Sequence, residues 1–210
     1  MSKRGGGRAW AGEKPLILAS SSAARHALLS SRGIEAELRP ADLDERMIEA
    51  EETMNGALPG IVARRLAAEK ARAVSQRSPH RFVLGADQVL AFEDRCWAKA
   101  VDRKEAASRL GQLAGRRHML ISACAVAYGG SVLFEAAETA ELAMRALSTA
   151  EIDTYLDVVG DEALASVGGY RIEGIGRLLF DRIEGEHATI LGLPLSGFLR
   201  YFRSIGLLRL

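Results

Sequence analysis

An α/β fold is what this sequence predicts, on three observations. The chain opens with a strand, helix and strand in succession, the pattern of a sheet covered by helices. Of its 210 residues 48% are hydrophobic, enough to bury a sizeable core. No internal repeat and no linker-like stretch divides it, so one domain of two lobes is expected over 15–210. Residues 1–14, basic and glycine-rich, read as a flexible extension ahead of it.

The elements follow in order. "PLILA" (15–19) is a short apolar run, a buried strand. "SAARHALLSSRG" (22–33) carries apolar residues at helical spacing and ends on Gly33, a plausible cap. "IEAELRP" (34–40) alternates as a half-exposed strand does. "ADLDERMIEAEETMNG" (41–56) is an acidic loop drifting into a short helix. "PGIVARRLAAEKARAVSQR" (59–77) is a helix, with Pro59 in its first turn and Ile61 or Val62, Leu66, Ala71 and Val74 on one side.

"RFVLGADQVLAF" (81–92) is an apolar strand interrupted by Gly85, Asp87 and Gln88, and a short strand precedes Lys99. "DRKEAASRLGQLAG" (102–115) is a further helix. Two long β segments meet at Gly129-Gly130, a hairpin turn. Ser148 and Glu151 form a capping-box pattern at the start of the helix "TAEIDTYLDVVG". The glycine-rich "SVGGYRIEGIG" comes next, then a strand in "RLLFDRIEGEH" and a closing amphipathic helix in "LPLSGFLRYFRSIGLL".

Bulk properties narrow the function. A formal net charge of +1 and 6% aromatics argue against a nucleic-acid-binding surface. Cys96 and Cys124 stand far apart with no clustered His, so no zinc or CxxC site is readable, and two thiols in a reducing compartment are expected. No apolar run is long enough to cross a bilayer and no secretory leader is present, so no membrane partner and a cytoplasmic address are expected. The four histidines show no catalytic spacing, and no Walker A loop occurs.

Several positions carry possible chemistry. A carboxylate inside an apolar strand, Asp87, is costly unless it is paired, holds a metal or reacts, and Gly85 before it permits a bulge or a ligand's close approach. Ser20, Ser21 and Ser22 lie where a strand turns into a helix. They read plainly as helix caps, or as hydroxyls for an anion with Arg25 one turn in. Lys70 near a helix end suits the helix dipole, and Lys99 reads as a solvated surface lysine. Asp42, Asp44 and Glu45, with Asp87, could hold a divalent cation. "GGYRIEGIG" is either a flexible connection or a close backbone approach to a ligand with Glu173 projecting toward it.

In order, "LILASSSAARHALL", "LAAEKA", "VLGADQVL", a lysine after the next short strand, and "EGIGRLLFDRIEGEHATILGLPL" together resemble the Maf family, the Maf-like nucleoside triphosphate pyrophosphatases once described as septum formation inhibitors. The resemblance covers residues 15–205. It implies an inosine triphosphatase-like fold, an elongated mixed β-sheet flanked by helices with a cleft between two lobes, often in a homodimer. It implies hydrolysis of a nucleoside triphosphate to the monophosphate and pyrophosphate with a divalent cation (Mg²⁺, or Mn²⁺ or Co²⁺). By position, Ser20, Ser22, Arg25, Lys70 and Lys99 would bind the triphosphate, Asp87 would be the general base, and Glu45 with Asp87 would hold the metal.

Gln88 and Glu173 would contact the substrate. They resemble the branch acting on 7-methyl-GTP, where the dTTP and UTP branch carries Thr and Gln. A carboxylate at Glu173 accepts from the N1–H and amino group of a guanine edge, which thymine lacks. The chain departs from the family at Ala24, where an arginine or bulky residue is usual. It departs also at Ala100, in place of proline after the lysine, and it has Ala165 and Ser166 where the pyrimidine branch carries an Asp-Lys pair. The alternatives are a dTTP/UTP pyrophosphatase, or a nucleotide-binding cell-division regulator without turnover.

Overall fold

The computed structural model describes residues 9–209. Its centre is one mixed sheet, strand order β2-β1-β3-β5-β6-β7, with β4 paired on β3. The strands are β1 (Leu16–Leu18), β2 (Ala36–Leu38), β3 (Val83–Phe92), β4 (Arg95–Trp97), β5 (Arg117–Tyr128), β6 (Ser131–Met144) and β7 (Phe180–Glu184). The helices are α1 (Ala23–Ser30), α2 (Glu45–Met54), α3 (Pro59–Gln76), α4 (Arg103–Leu113), α5 (Thr149–Val159), α6 (His187–Ile190) and α7 (Leu195–Ser204), with 3₁₀ turns at Gly160–Ala165 and Ile175–Leu179. The expected mixed sheet flanked by helices is what is found. β1 runs parallel to β2 and β3, and the remaining pairs are antiparallel.

Side-chain alternation along β3 decides what covers each face. Val89 joins α3 residues Val62, Leu66 and Ala67 with Ala123 and Ala125 of β5 in one cluster. The other face carries two clusters. Leu84 and Ala86 pack with Cys124, Val126 and the α1 and α7 residues Leu29, Phe198 and Phe202. Leu90 and Phe92 pack with Leu120, Leu142 and the α4 and α5 residues Leu110 and Leu156. Between these clusters the strands present Gln88, Ser122 and Glu138, which are direct partners across β3, β5 and β6. Polar side chains thus separate two hydrophobic cores on one sheet face.

One edge of β3 is divided. β1 pairs with Val83 and Leu84, and β4 pairs from Leu90 onward. The intervening stretch of that edge, which contains Asp87, is open to side chains arriving from elsewhere.

The extension expected through residue 14 is corrected over residues 9–14. Trp10 is buried, stacks edge-on against Phe202 and Phe82, and donates from Nε1 to the Lys14 carbonyl. Backbone bonds Ala11 N to Leu207 O and Arg209 N to Ala9 O tie the two ends of the chain together. The buried indole, its Nε1 bond and the two backbone bonds act together against the ordering cost of these residues, which the indole alone would not offset. The rest of that extension, residues 1–8, lies outside the described residues. The strand expected over 177–187 is shorter, because residues 175–179 form a 3₁₀ turn and 187–190 a single helical turn. No described helix is long and apolar enough to cross a membrane.

Candidate active site

The site forms where α1, α2 and α3 converge on the divided edge of β3. Asp87 faces α3, and its Oδ1 accepts from Lys70 Nζ at 2.6 Å. Lys70 Nζ also donates to Glu45 Oε2 at 2.8 Å, in the first turn of α2. Lys70 and Asp87 are each 7% exposed. A buried lysine needs a partner of opposite charge to remain charged, and here it has two. The dipole reading of Lys70 is therefore corrected: it lies inside α3 and bridges two carboxylates.

Gly85 is what lets α3 come this close. A Cβ there would lie 2.2 Å from the Ala67 carbonyl oxygen and 2.6 Å from the Ala71 nitrogen. The glycine serves the approach of a helix, not of a ligand or a bulge, so that expectation too is corrected.

Arg25 enters from the other side. Its Nη1 donates to Ala86 O at 2.8 Å and Ser20 Oγ at 3.0 Å, and its Nε to Gly192 O at 2.8 Å. Among the described residues Nη2 takes no hydrogen bond. Burial pushes the guanidinium below its ordinary value, while the Asp87 and Glu45 carboxylates oppose the shift. The serines organise this arginine. Ser22 caps α1, its Oγ accepting from Arg25 N, and Ser20 Oγ accepts from Ser22 N. The capping reading thus holds for Ser22, and Ser20 acts one residue pair further out.

Gln88, predicted to contact substrate, faces away from Asp87. Its Nε2 donates to Ser122 Oγ, Thr189 O and Ile190 O, each at 3.0 Å. Lys99 is exposed on the loop after β4, and among the described residues neither an ion pair nor a hydrogen bond ties it to the Lys70–Asp87 pair. Glu173 is likewise exposed, in the loop before the Ile175–Leu179 turn, with no ion pair among the described residues. Asp44 caps α2, accepting from Met47 N.

One acidic neighbour was missed. Glu49 lies one turn after Glu45 on α2, and partial burial, then Asp87 and Glu45, hold its carboxyl above the ordinary value. The i, i+4 spacing of the two glutamates was the available signal. Cys96 of β4 sits against the same group: burial, with Glu49 and Asp87, pushes its thiol up to about 11. It is unsuited to act as a thiolate.

As a metal site the residues fit in a limited sense. Among the described residues no group of three or more His, Cys, Asp or Glu gathers as a metal cage. Glu45 and Asp87 nonetheless converge on one cationic atom. Magnesium is commonly held by one or two carboxylates with water and substrate phosphate.

A nucleoside triphosphate pyrophosphatase of Rhodopseudomonas palustris (strain BisB5) is 53% identical over 201 residues, 96% of this chain and 98% of that one. A 7-methyl-GTP pyrophosphatase of Rhizobium etli is 44% identical over 191 residues, 91% of this chain and 96% of that one. A solved nucleoside-triphosphatase / dITP/XTP pyrophosphatase of Mycobacterium abscessus covers 62% of this chain and 73% of that one at 18% identity and a TM-score of 0.37, too slight a likeness to carry an argument. The family described as Maf-like protein matches residues 15–205, the span that holds all of Ser20, Arg25, Glu45, Lys70 and Asp87. With that match and relatives alike along nearly their full length, this chain belongs to the Maf family.

Proposed function

We propose that this protein is a nucleoside triphosphate pyrophosphatase, cleaving between the α- and β-phosphates to give the monophosphate and pyrophosphate. The observation that carries the reading is the buried Lys70–Asp87 pair, joined by the half-exposed Glu45, beside an arginine whose Nη2 is left for a ligand. A triphosphate carries about four negative charges, and its α-phosphorus resists attack until they are matched. Arg25 and Lys70 supply fixed cations from two elements. The Ser22-capped first turn of α1 adds backbone N–H groups, which favour anions.

Asp87 orients the attacking water and takes its proton; its placement against Lys70 Nζ keeps the carboxylate aimed. Lys99, on its exposed loop, would meet the outer phosphates once substrate is present. A divalent cation, Mg²⁺ or alternatively Mn²⁺ or Co²⁺, would be held by Glu45 and Asp87 together with phosphate oxygens. It would supply further neutralisation of the triphosphate.

For the base, 7-methyl-GTP or a related modified purine nucleotide fits best. The Rhizobium etli relative carries that name. The free carboxylate of Glu173 offers acceptors to a guanine edge. Gln88 no longer supports this choice, since its amide is engaged elsewhere.

The test is product release by purified protein from 7-methyl-GTP, GTP, dTTP and UTP, each with Mg²⁺, Mn²⁺, Co²⁺ or chelator. Pyrophosphate release dependent on the cation and strongest with 7-methyl-GTP is expected. Orthophosphate as the product, or no release, would overturn the activity; equal turnover of 7-methyl-GTP, dTTP and UTP would overturn the base assignment alone.

A further inference from the structure

We infer that Gln88 is a positioning residue for Arg25, acting through the one-turn helix α6 and the Gly192 carbonyl; this rests on the triphosphate reading of the site. The row Gln88, Ser122 and Glu138 spans three adjacent strands in direct register. Every member grips α6. Ser122 Oγ donates to Thr189 O at 2.6 Å, Gln88 Nε2 donates to Thr189 O and Ile190 O, and Thr189 Oγ1 donates to Glu138 Oε2 at 2.7 Å.

Thr189 O is the hub. Besides Ser122 and Gln88 it accepts from Gly192 N at 3.0 Å. Gly192 then turns its own carbonyl to Arg25 Nε at 2.8 Å. Arg25 is fixed from three directions, and the α6 side supplies one of them. The turn depends on glycine: Gly192 has φ +94°, and a Cβ there would stand 3.1 Å from Arg25 Nε and 3.2 Å from Nη2.

A four-residue helix cannot hold its own position by local bonding. The polar row holds it together with Ala188, packed in one hydrophobic core of that sheet face, and Ile190, packed in the other. Apolar packing would leave the α6 carbonyls without donors, so the row exchanges packing for direction. The consequence reaches the far side of β3. Ala86 O and Gly192 O set the guanidinium plane, and with it the direction in which Nη2 meets an incoming phosphate.

The test is a mutant cycle on substrate and on tripolyphosphate, which needs no turnover. Gln88→Met is made in the wild-type background and in Arg25→Lys, a side chain that keeps the charge and loses the fork. In wild type, Gln88→Met should raise KM and the tripolyphosphate Kd by roughly tenfold and leave kcat within about twofold; in Arg25→Lys it should move both by less than about twofold, the non-additivity expected of coupled groups. Gly192→Ala, which leaves the polar row intact, should raise KM in the same way and covers the case in which Gln88→Met does not fold.

Equal factors in both backgrounds, an unchanged KM, or a lower kcat at constant KM would overturn the inference. A wild-type protein that binds tripolyphosphate, shows the cycle and releases no pyrophosphate would overturn the enzymatic reading and leave the positioning role standing.

Discussion

Lys70 Nζ lies 2.6 Å from Asp87 Oδ1 and ties the middle of α3 to the middle of β3, with Glu45 of α2 as the third partner. Both members of the pair are buried, so the effects of removing each differ. Lys70→Met strands the Asp87 carboxylate away from water and should lower stability by about 3–5 kcal/mol.

Asp87→Asn leaves Lys70 paired with Glu45. It should fold, with turnover reduced by roughly 10²- to 10⁴-fold. The double variant should regain much of the stability that Lys70→Met loses, and none of the activity. Thermal melts and pyrophosphate release on the four proteins check this. An Asp87→Asn protein of near-wild-type turnover would remove Asp87 from catalysis.

Gly85→Ala tests whether helix approach sets the site. The added Cβ collides with backbone atoms of Ala67 and Ala71, which cannot swing aside as a side chain would. The helix must lift, at about 1–3 kcal/mol or more. Lys70, between those residues, lifts with it, so turnover falls together with stability. The control is Gly111→Ala on the exposed side of α4, where the nearest atom is Ile152 Cδ1 at 4.0 Å. That change should stabilise by roughly 0.5–1 kcal/mol, the helix-interior preference for alanine. Denaturant melts of both variants separate the two effects.

Much of this arrangement is legible in the sequence. A strand broken by Gly-Ala-Asp, a serine-capped helix with an inward arginine, and a long helix carrying Lys70 are local patterns, and each forms as read. What local pattern does not carry is register. Nothing near Gln88 reveals that Ser122 and Glu138 stand opposite it, so the family resemblance alone makes the amide after Asp87 a substrate contact. Strand alternation alone does place Asp87 and Gln88 on opposite faces. Trp10 was hidden for a similar reason: its partners, Phe82 and Phe202, come from distant parts of the chain. α6 is too short to show periodicity.

His118 of β5 yields a pH prediction away from the site. It is 3% exposed, packs on Phe180, and shares a 2.5 Å hydrogen bond between Nε2 and the Tyr170 hydroxyl, while Nδ1 has no partner among the described residues. Burial lowers its pKa from 6.5 to about 4. A group whose folded pKa is depressed binds its proton more readily in the unfolded chain. Its contribution is therefore complete above pH 6.5 and is lost as pH falls from 6.5 through about 4.

The loss should reach about 2 kcal/mol by pH 5 and about 3 kcal/mol below pH 4. For a chain of this size, 2 kcal/mol corresponds to roughly 4–8 °C in Tm. His118→Gln lowers stability near pH 7 by losing the imidazole's packing and its Tyr170 bond, but it should remove this part of the slope between pH 7 and 5. Melts of both proteins across that range decide it. Parallel Tm curves for the two would show that the imidazole does not take up its proton on unfolding, and that its buried neutral state is not what sets the acid limit of the fold.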